Sequence, residues 1–290
     1  MIRFTFMALA TLCALNVFGK AKKNELMDRI GVCNLPSSAK YVKDAGGHHI
    51  EIGISGFLVP EKSDADFIAN KETAQKCELP VESGNGFFPS DIILIGPTAD
   101  VDRAIRYTEV AMRRASEIGL KTAVLGSGRS RNIPEGFPRE KAVEQFMELL
   151  RRIGSIARKY GVTIVIEPLN SSECNFINSV QEGYEIVKAV KHPNIGVLAD
   201  FYHMAVENES PQSIIKAGRK YLRHVHIAEK AHRTAPGVEG DDFTPYFRAL
   251  KKIKYKGTMS LECGWNNFAN EVEPAIQEVK KQLNQVYHTK

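Results

Sequence analysis

The segment that decides the fold is residues 141–168, which read KAVEQFMELLRRIGSIARKYGVTIVIEP. Its first part carries apolar side chains at helical spacing: Val143, Phe146, Leu149, Leu150, Ile153 and Ile156. This spacing predicts an amphipathic helix over Lys141–Tyr160. Gly161 ends the helix, and the β-branched run Val162–Pro168 begins directly after it. The segment is therefore predicted to be one helix–strand unit of an α/β protein.

The same alternation recurs along the rest of the chain. A second amphipathic helix is predicted over Val101–Ile118, with Asp100 or Asp102 as its N-cap and Gly119 just past its end. Residues Asp91–Ile95 compete with Leu79–Gly86 for the third strand position. The eight predicted strands are Arg29–Asn34, His49–Ser55, Leu79–Gly86, Lys121–Ser127, Val162–Pro168, Ile195–Asp200, Arg223–Ala228 and Thr258–Cys263.

This pattern predicts a single domain with a closed parallel barrel. No Pro/Gly/Ser-rich linker interrupts residues 25–290. Eight βα units in roughly 265 residues suit a (β/α)8 TIM barrel better than an open doubly wound sheet. An open sheet would also offer a Gly-rich phosphate turn after its first strand, and the segment Gly31–Pro36 is not one. We therefore expect residues 24–290 to form one barrel domain.

The N-terminus predicts export. Arg3 precedes an apolar run of about 15 residues, Phe4–Phe18, which is short for a membrane span but suits a signal peptide. A buried or interfacial helix is the alternative. With residues 1–23 as the signal peptide, the protein would be secreted or periplasmic and would keep no stable membrane anchor after cleavage.

The charge of the chain lies largely in this leader. The formal net charge is +5, and residues 1–23 carry four basic residues and no acidic one, so residues 24–290 sum to about +1. After the leader, the sequence has no run of Lys and Arg with interleaved aromatic residues, so nucleic acid is not an expected partner. Four cysteines follow the leader, and their wide spacing favours free, mostly buried thiols over disulfides at Cys33, Cys77, Cys174 and Cys263.

Metal-ligand residue types close four of the later predicted strands: Glu167, Asp200, His226 and Glu262. One such residue alone is usually a helix N-cap or a solvated loop residue. In a parallel barrel, however, all strands end at the same mouth, so the four side chains would converge there. Three carboxylates and one imidazole suit one divalent cation, with Mn²⁺ favoured, Mg²⁺ and Co²⁺ as alternatives and Zn²⁺ not excluded.

Several other residues allow two interpretations. His224 is expected to support the site or to pack in the core, and Glu51 is either a site residue or an outward charge. Arg129 and Arg131 could bind a phosphate, although a structural role is favoured because an exported protein seldom meets phosphorylated small molecules. Three aromatic residues near strand ends could form an apolar wall beside a ligand or pack in the core: Phe87, Phe88 and Trp265.

At this point the sequence resembles a known family, the xylose isomerase-like barrels of the sugar phosphate isomerase/epimerase type. Within it, the chain is most similar to the ketose 3-epimerases of the tagatose/psicose type. The resemblance covers most of residues 28–285. Its motifs are GSGxxR at Gly126–Arg131, EPLNxxE at Glu167–Glu173, DxxH at Asp200–His203, HxHxxE at His224–Glu229, the Arg233–Gly237 segment, and Glu262.

The resemblance implies a role for each matching residue. The four strand-end residues would hold the metal, and Glu167 and Glu262 would also be the two catalytic acid/base groups. Glu173, His203 and Arg233 match positions that bind the oxygens of the substrate. The arginine position is ambiguous, because counting forward from His226 arrives at His232 and not at Arg233. The resemblance is also compatible with a homodimer or a homotetramer.

These residues suit proton transfer next to a carbonyl. Removing a proton there produces an enediolate, whose negative charge a divalent cation stabilises. A base on one face and an acid on the other would epimerise the carbon, whereas one group doing both steps would isomerise the sugar. The sequence therefore predicts a metal-dependent carbohydrate epimerase or isomerase.

Three alternatives remain open. The first is a metal-dependent lyase that cleaves keto-glycosides, since the same proton abstraction could expel a leaving group. The second is an endonuclease IV-like DNA repair enzyme, which would need more histidines and a basic groove. The third is a sugar-binding barrel without catalytic activity, although two opposed glutamates are hard to explain by binding alone.

Overall fold

The structure is a computed structural model that describes residues 26–288 of the chain. The predicted signal peptide, residues 1–23, lies outside the described residues, so export stays a prediction. Within residues 26–288, no helix is both long enough and apolar enough to cross a membrane.

Eight parallel strands close into a barrel in chain order, which confirms the predicted TIM barrel. The third strand forms within Leu79–Gly86 as predicted, and the competing segment Asp91–Ile95 is not a strand. Barrel closure pairs the first strand with the last, with Gly31 beside Ser260. The strands are β1 Ile30–Cys33, β2 His49–Gly53, β3 Val81–Asn85, β4 Thr122–Leu125, β5 Thr163–Ile166, β6 Ile195–Asp200, β7 Leu222–Ile227 and β8 Thr258–Leu261.

Helices follow the strands and surround the barrel. The larger ones are α1 Ala39–Asp44, α2 Ile54–Phe57, α3 Asp64–Gln75, α4 Val101–Glu117, α5 Gly128–Arg131, α6 Arg139–Lys159, α7 Val180–Val190, α8 Phe201–Val206, α9 Gln212–Tyr221, α10 Thr244–Lys252 and α11 Phe268–His288. Short 3₁₀ turns lie at Met27–Arg29 and Pro36–Ser38. Both predicted helices are present, as α4 and α6, and Asp100 caps α4 by accepting a hydrogen bond from the Arg103 amide.

The main hydrophobic core lies between the helices and the outer face of the barrel. The apolar stripe of α6 is buried there, through Phe146, Leu149, Leu150 and Ile153. Because the inner and outer side chains of a strand alternate, each strand contributes to this core with every second residue. The remaining side chains point into the barrel, beneath the mouth.

The barrel interior has two unlike halves. The inner side chains of β4, β5 and β6 form a small apolar cluster separate from the main core, which we call the apolar half: Val124, Val165 and Leu198. Buried polar side chains fill the interior along β2, β3, β7 and β8, which we call the polar half: His49, Glu51, Ser83, His224 and Ser260. Gly31 on β1 leaves room for the His49 ring, which a β-carbon at that position would overlap.

Candidate active site at the carboxyl end of the barrel

The structure brings the four predicted metal ligands together at the mouth. One potential ligand atom from each of Glu167, Asp200, His226 and Glu262 lies within 4.8 Å of the other three. His226 is central, with Nδ1 2.9 Å from Glu167 Oε1 and 2.9 Å from Glu262 Oε2. Because β5 and β8 are three strands apart in a ring of eight, the two glutamates approach His226 from different sides of the mouth.

Glu167 is positioned by the loop after β4. A β-carbon at Gly126 would overlap Glu167 Oε2, so only glycine leaves space for this carboxylate. Arg131 is fully buried and donates hydrogen bonds to the backbone carbonyls of Gly126, Glu167 and Phe176. Arg131 therefore joins the GSG loop to the β5 end, which is the structural role favoured from the sequence.

Asp200 has two roles at the end of β6. Its Oδ1 accepts from the Tyr202 amide at 2.8 Å and so caps α8, as a strand-end aspartate often does. Its Oδ2 instead faces the site, where it accepts from Arg233 Nη2 at 3.0 Å. Asp200 is therefore a helix N-cap whose second oxygen also faces the candidate site, and its role as a metal ligand stays a prediction.

Glu51 is buried directly behind His226. Its Oε1 lies 2.9 Å from His226 Nε2, and its Oε2 lies 2.8 Å from His224 Nε2 and accepts from Ser83 Oγ at 2.7 Å. When His226 Nε2–H donates to Glu51, the lone pair of Nδ1 is directed toward the carboxylates at the mouth. Such a carboxylate orients a ligating histidine and fixes its tautomer. Glu51 is therefore a site residue and not an outward charge.

The charges at the mouth shift the pKa values of its groups in different directions. Burial, reinforced by Glu262, raises the pKa of Glu167. Burial also opposes ionisation of Glu262, but the charges of His226 and Arg233 outweigh it and lower the pKa of Glu262 to about 2. Burial likewise disfavours charged His226, yet Glu262, Glu51 and Glu167 raise its pKa well above the usual range. The two glutamates are thus electrostatically distinct.

The donor set fits a divalent cation. Three carboxylates and one imidazole nitrogen offer oxygen and nitrogen ligands of the kind that Mn²⁺, Co²⁺ and Zn²⁺ accept in proteins. Carboxylates crowded this closely in a buried site repel one another unless a cation lies among them. Glu167, Asp200, His226 and Glu262 are therefore the residues that would hold one.

Arg233, and not His232, reaches the site. Its Nη2 donates to Asp200 and to Glu262 Oε2, and its guanidinium lies 4.7 Å from the centre of the Tyr202 ring. His232 is exposed to solvent. Both residues have a left-handed backbone, with φ of 56° and 54°, so the loop turns sharply enough to separate their directions. Counting back from Pro236–Gly237 therefore leads to the residue that lies at the mouth, and the contact of Arg233 with a substrate stays a prediction.

Glu229 holds the loop that carries Arg233. This carboxylate is fully buried and accepts hydrogen bonds from the amides of Gly237 at 2.7 Å, Gly240 at 3.1 Å and Asp241 at 3.2 Å. It also accepts from Glu239 N and Thr234 Oγ1. The last residue of the HxHxxE motif is thus an anchor of the loop.

His203 and Glu173 form one edge of the mouth. His203 Nδ1 accepts from the Asn170 amide at 3.1 Å, and Asn170 Nδ2 donates to Glu173 Oε1 at 2.7 Å. His203 Nε2 is buried 3.5 Å from Asp200 Oδ2 and has no hydrogen-bond partner among the described residues. Glu173 is exposed at the rim. Both side chains can meet a polar ligand that enters the mouth.

Two residues at the mouth are absent from the sequence-based site. Asn85, at the end of β3, donates to Glu262 Oε1 at 2.5 Å. Cys33, at the end of β1, places its sulfur within 4.8 Å of ligand atoms of His226 and Glu262. Both residues lie at a strand end, as the four predicted ligands do. Neither carries a charge, so the sequence did not single them out.

The aromatic candidates pack against other aromatic side chains. Phe87 and Phe88 are buried and pack against Tyr107, so they belong to the core. Trp265 is half-buried and packs edge-on against Phe268 at 5.1 Å. All four described cysteines are free, as predicted, but only Cys174 is buried and the others are half-buried, so the prediction of mostly buried thiols is wrong.

Sequence comparisons place the chain in a family. The family model described as the xylose isomerase-like TIM barrel matches residues 39–285. The chain is 28% identical over 239 residues to the 3-dehydro-D-guloside 4-epimerase of Escherichia coli, covering 79% of this chain and 87% of that protein. It is 34% identical over 119 residues to the D-psicose 3-epimerase of Ruminiclostridium cellulolyticum, covering 41% of this chain and only 40% of that relative.

A solved structure shows the same fold. The 3-keto-D-glucoside 4-epimerase of Escherichia coli superposes with a TM-score of 0.73 at 21% identity, covering 87% of this chain and 99% of that one. The resemblance to the xylose isomerase-like barrels, with psicose 3-epimerase among the relatives, is thereby confirmed. The chain belongs to the xylose isomerase-like TIM barrel family.

Proposed function

We propose that this protein is a divalent-metal-dependent carbohydrate epimerase that acts on a ketose or a keto-glycoside. The observation that carries the proposal is the pair Glu167 and Glu262, which approach the same buried imidazole from different sides of the mouth at 2.9 Å each. Epimerisation needs two acid/base groups, one on each face of the reacting carbon. The names of the relatives, a 4-epimerase and a 3-epimerase, support the same reaction class.

The chain's own residues divide the work. One glutamate removes the proton from the carbon beside the carbonyl, and the other returns a proton from the opposite face. Arg233 holds Glu262 and Asp200 in place through Nε and Nη2, and its free N–H groups would bind the substrate. His203 Nε2, which has no partner among residues 26–288, and the rim residue Glu173 would bind substrate hydroxyl groups.

Glu167, Asp200, His226 and Glu262 would hold the cation, for which we propose Mn²⁺, with Mg²⁺, Co²⁺ and Zn²⁺ as the ions to compare. When bound, the cation supplies positive charge that stabilises the negative oxygens next to the deprotonated carbon. The N-terminal sequence supports secretion or a periplasmic location, and a homodimer or homotetramer remains the expected assembly. The partner would be a small carbohydrate.

Hydrogen exchange in D₂O tests the reaction. Protein loaded with Mn²⁺ and protein treated with a chelator are incubated with ketoses, aldoses and keto-glycosides, and the C–H signals are followed by NMR. Deuterium uptake at the carbon next to the carbonyl is expected with the Mn²⁺-loaded protein and not with the chelator-treated protein. Replacing a catalytic acid/base group typically costs about 10²–10⁴-fold, so Glu167→Gln and Glu262→Gln should lose exchange to this extent.

The control variant is Glu144→Gln, which makes the same chemical change at an exposed position of α6 and should exchange at the native rate. An inverted carbon in the product supports epimerisation, whereas a shifted carbonyl would show an isomerase. Release of the aglycone from a keto-glycoside would show a lyase. Stoichiometric metal binding without exchange on any substrate would overturn the proposal.

A further inference from the structure

The end of the barrel opposite the candidate site carries a concentration of positive charge. Seven exposed basic residues lie just before β4, β6, β7 and β8, or at the second residue of β7. We call this surface the basic end face: Lys121, Lys188, Lys191, Arg219, Lys220, Arg223 and Lys256. Because helices and strands of a (β/α)8 barrel run in opposite directions, helix ends and strand beginnings from distant parts of the sequence meet there.

Two clefts cross the basic end face. One has a volume of about 530 Å³ and the other about 610 Å³, and Lys220 and Arg223 line both of them. Among the described residues, neither cleft is lined by a carboxylate. Both clefts are therefore lined by basic and not by acidic side chains, which favours a partner with several negative groups.

The seven basic side chains are not neutralised within the described part of the chain. None of them forms an ion pair with another residue of the described range 26–288. On the side of the barrel, by contrast, Arg103 pairs with Glu61 and Arg113 pairs with Asp64, both at 2.6 Å. Residues 24–290 carry a formal charge of only about +1 in total, so seven unpaired positive charges on one face mean that charge is segregated over the surface.

Two tyrosines lie among these basic residues. Tyr184 and Tyr221 are half-buried and pack edge-on, with ring centres 5.4 Å apart. Lys188 Nζ lies 5.5 Å from the Tyr184 ring, and Lys220 Nζ lies 5.1 Å from the Tyr221 ring. A lysine therefore lies over one face of each ring, which leaves less ring surface for the stacking of nucleobases. Tyrosine beside lysine and arginine is the composition found where proteins meet the headgroup layer of a membrane.

We propose that the basic end face binds the surface of a membrane that contains anionic phospholipids. Charge complementarity selects the phosphate-rich headgroup layer, and docking by this end leaves the mouth at the opposite end open to soluble substrates. The described chain also begins at this face, since Arg29 Nη1 donates to the Lys256 carbonyl at 2.7 Å. A nucleic acid bound here would lie at the far end of the barrel from Glu167 and could not be its substrate.

The proposal is tested by vesicle sedimentation. The protein is purified from cells that express the full chain, and its N-terminus is determined by mass spectrometry. It is mixed with vesicles of phosphatidylglycerol and phosphatidylcholine, or of phosphatidylcholine alone, at about 50 and about 300 mM NaCl, since salt screens surface charge. Binding is expected with the anionic vesicles at low salt, and it should weaken at high salt.

Two triple variants make the same change in charge at different places. Arg219→Glu, Lys220→Glu and Arg223→Glu reverse the centre of the basic end face. Arg106→Glu, Lys141→Glu and Arg248→Glu reverse three exposed residues of α4, α6 and α10. Each basic residue near an anionic bilayer strengthens binding about fivefold, so the first variant should bind at least about a hundredfold more weakly and the second close to the native level.

Folding of each variant is checked by two measurements that do not depend on lipid binding, circular dichroism and the exchange assay on a sugar. Equal losses in both triple variants would mean that net charge and not this face drives binding, and would overturn the proposal. So would failure of the native protein to bind anionic vesicles at low salt, or tighter binding to DNA or heparin than to the vesicles. A retained apolar leader would be present in both variants and cannot produce a difference between them.

Discussion

The two halves of the barrel interior are built on similar parallel strands but hold their side chains together by different interactions. In the apolar half, Val124, Val165 and Leu198 make contacts with one another that need no specific geometry. In the polar half, Glu51 joins His224, His226 and Ser83 by hydrogen bonds of 2.7 to 2.9 Å. The apolar half therefore contributes stability by excluding water, while the polar half orients the His226 imidazole toward the mouth.

The polar half is stable because its members satisfy one another. Burying a polar or charged group without a partner is costly, and here His224 Nδ1 also meets Thr258 Oγ1 at 2.8 Å while His49 Nε2 meets Ser260 Oγ at 3.0 Å. His49 Nδ1 is the exception, since it has no partner among the described residues. The network therefore depends on each member, whereas the apolar half tolerates small changes in shape.

The largest effect on folding is expected from Leu198→Ala in the apolar half. Truncating a buried leucine removes contacts and leaves a cavity, which should lower the free energy of unfolding by about 2–5 kcal/mol. Asp200, two residues further along β6, is still held by the Tyr202 amide and Arg233, so metal affinity should stay at the native level. Urea unfolding and titration calorimetry with Mn²⁺ measure the two quantities.

The converse is expected for Glu51→Gln in the polar half. The amide nitrogen must face either His226 Nε2–H or the donors His224 and Ser83, so at least one hydrogen bond is lost and His226 is less firmly oriented. Loss of such a supporting carboxylate should weaken metal binding about 10–100-fold. If Leu198→Ala weakened metal binding as much as Glu51→Gln, the functional distinction between the two halves would be wrong.

A smaller effect is expected from Ser83→Ala. It removes one hydrogen bond to the Glu51 carboxylate, 2.7 Å long, but leaves both histidine contacts in place. The free energy of unfolding should fall by about 1–2 kcal/mol, as for other hydrogen bonds to charged groups. Metal affinity should fall less than in Glu51→Gln. An unchanged unfolding curve would show that water replaces the serine hydroxyl at no cost.

The last prediction concerns the pH dependence of stability, where the effect is small at each pH step and accumulates over a window. Burial and the neighbouring His224 lower the pKa of His49 from 6.5 to about 3. Between these values the unfolded chain binds a proton that the native protein does not, so stability decreases as the pH falls through this window. His49→Gln should reduce this slope by up to about 1.4 kcal/mol per pH unit.

Urea unfolding between pH 4 and pH 7 measures this slope, at about one-unit steps. The control is His232→Gln, because His232 is exposed and should leave the slope unchanged. Equal slopes in the native protein and in His49→Gln would mean that His49 gains its proton without unfolding.

Local patterns predicted the elements well. The apolar periodicity of Lys141–Tyr160 and the β-branched run after Gly161 correspond to α6 and β5, because the period of a helix or strand is written in neighbouring residues. Element ends shifted by one or two residues, since capping depends on contacts made by the termini. The third strand was the ambiguous one because Glu82, Ser83 and Gly84 are not typical of a strand.

The four candidate metal ligands could be predicted from the sequence for a related reason. Each candidate ligand stands at the end of a predicted strand, and parallel strands that close into a barrel must bring their carboxyl ends together. Glu51 remained ambiguous because it lies within a strand, HIEIG, where the face that it occupies depends on the phase of the strand relative to the barrel. Asn85 and Cys33 were not predicted as site residues. Neither is charged, so burying either one at a strand end does not carry the free-energy cost of an unpaired charge.

Local periodicity and one topological rule were enough to predict the alternation of strands and helices, the closed barrel and the four residues that could hold a metal. The folded chain was needed to show that Arg233 reaches the mouth while His232 does not, since adjacent residues of one loop are distinguished by their backbone angles. It also assembled the basic end face from residues as distant as Lys121 and Lys256. Charges that are dispersed along the chain become one surface only when eight strands begin at the same end of a barrel.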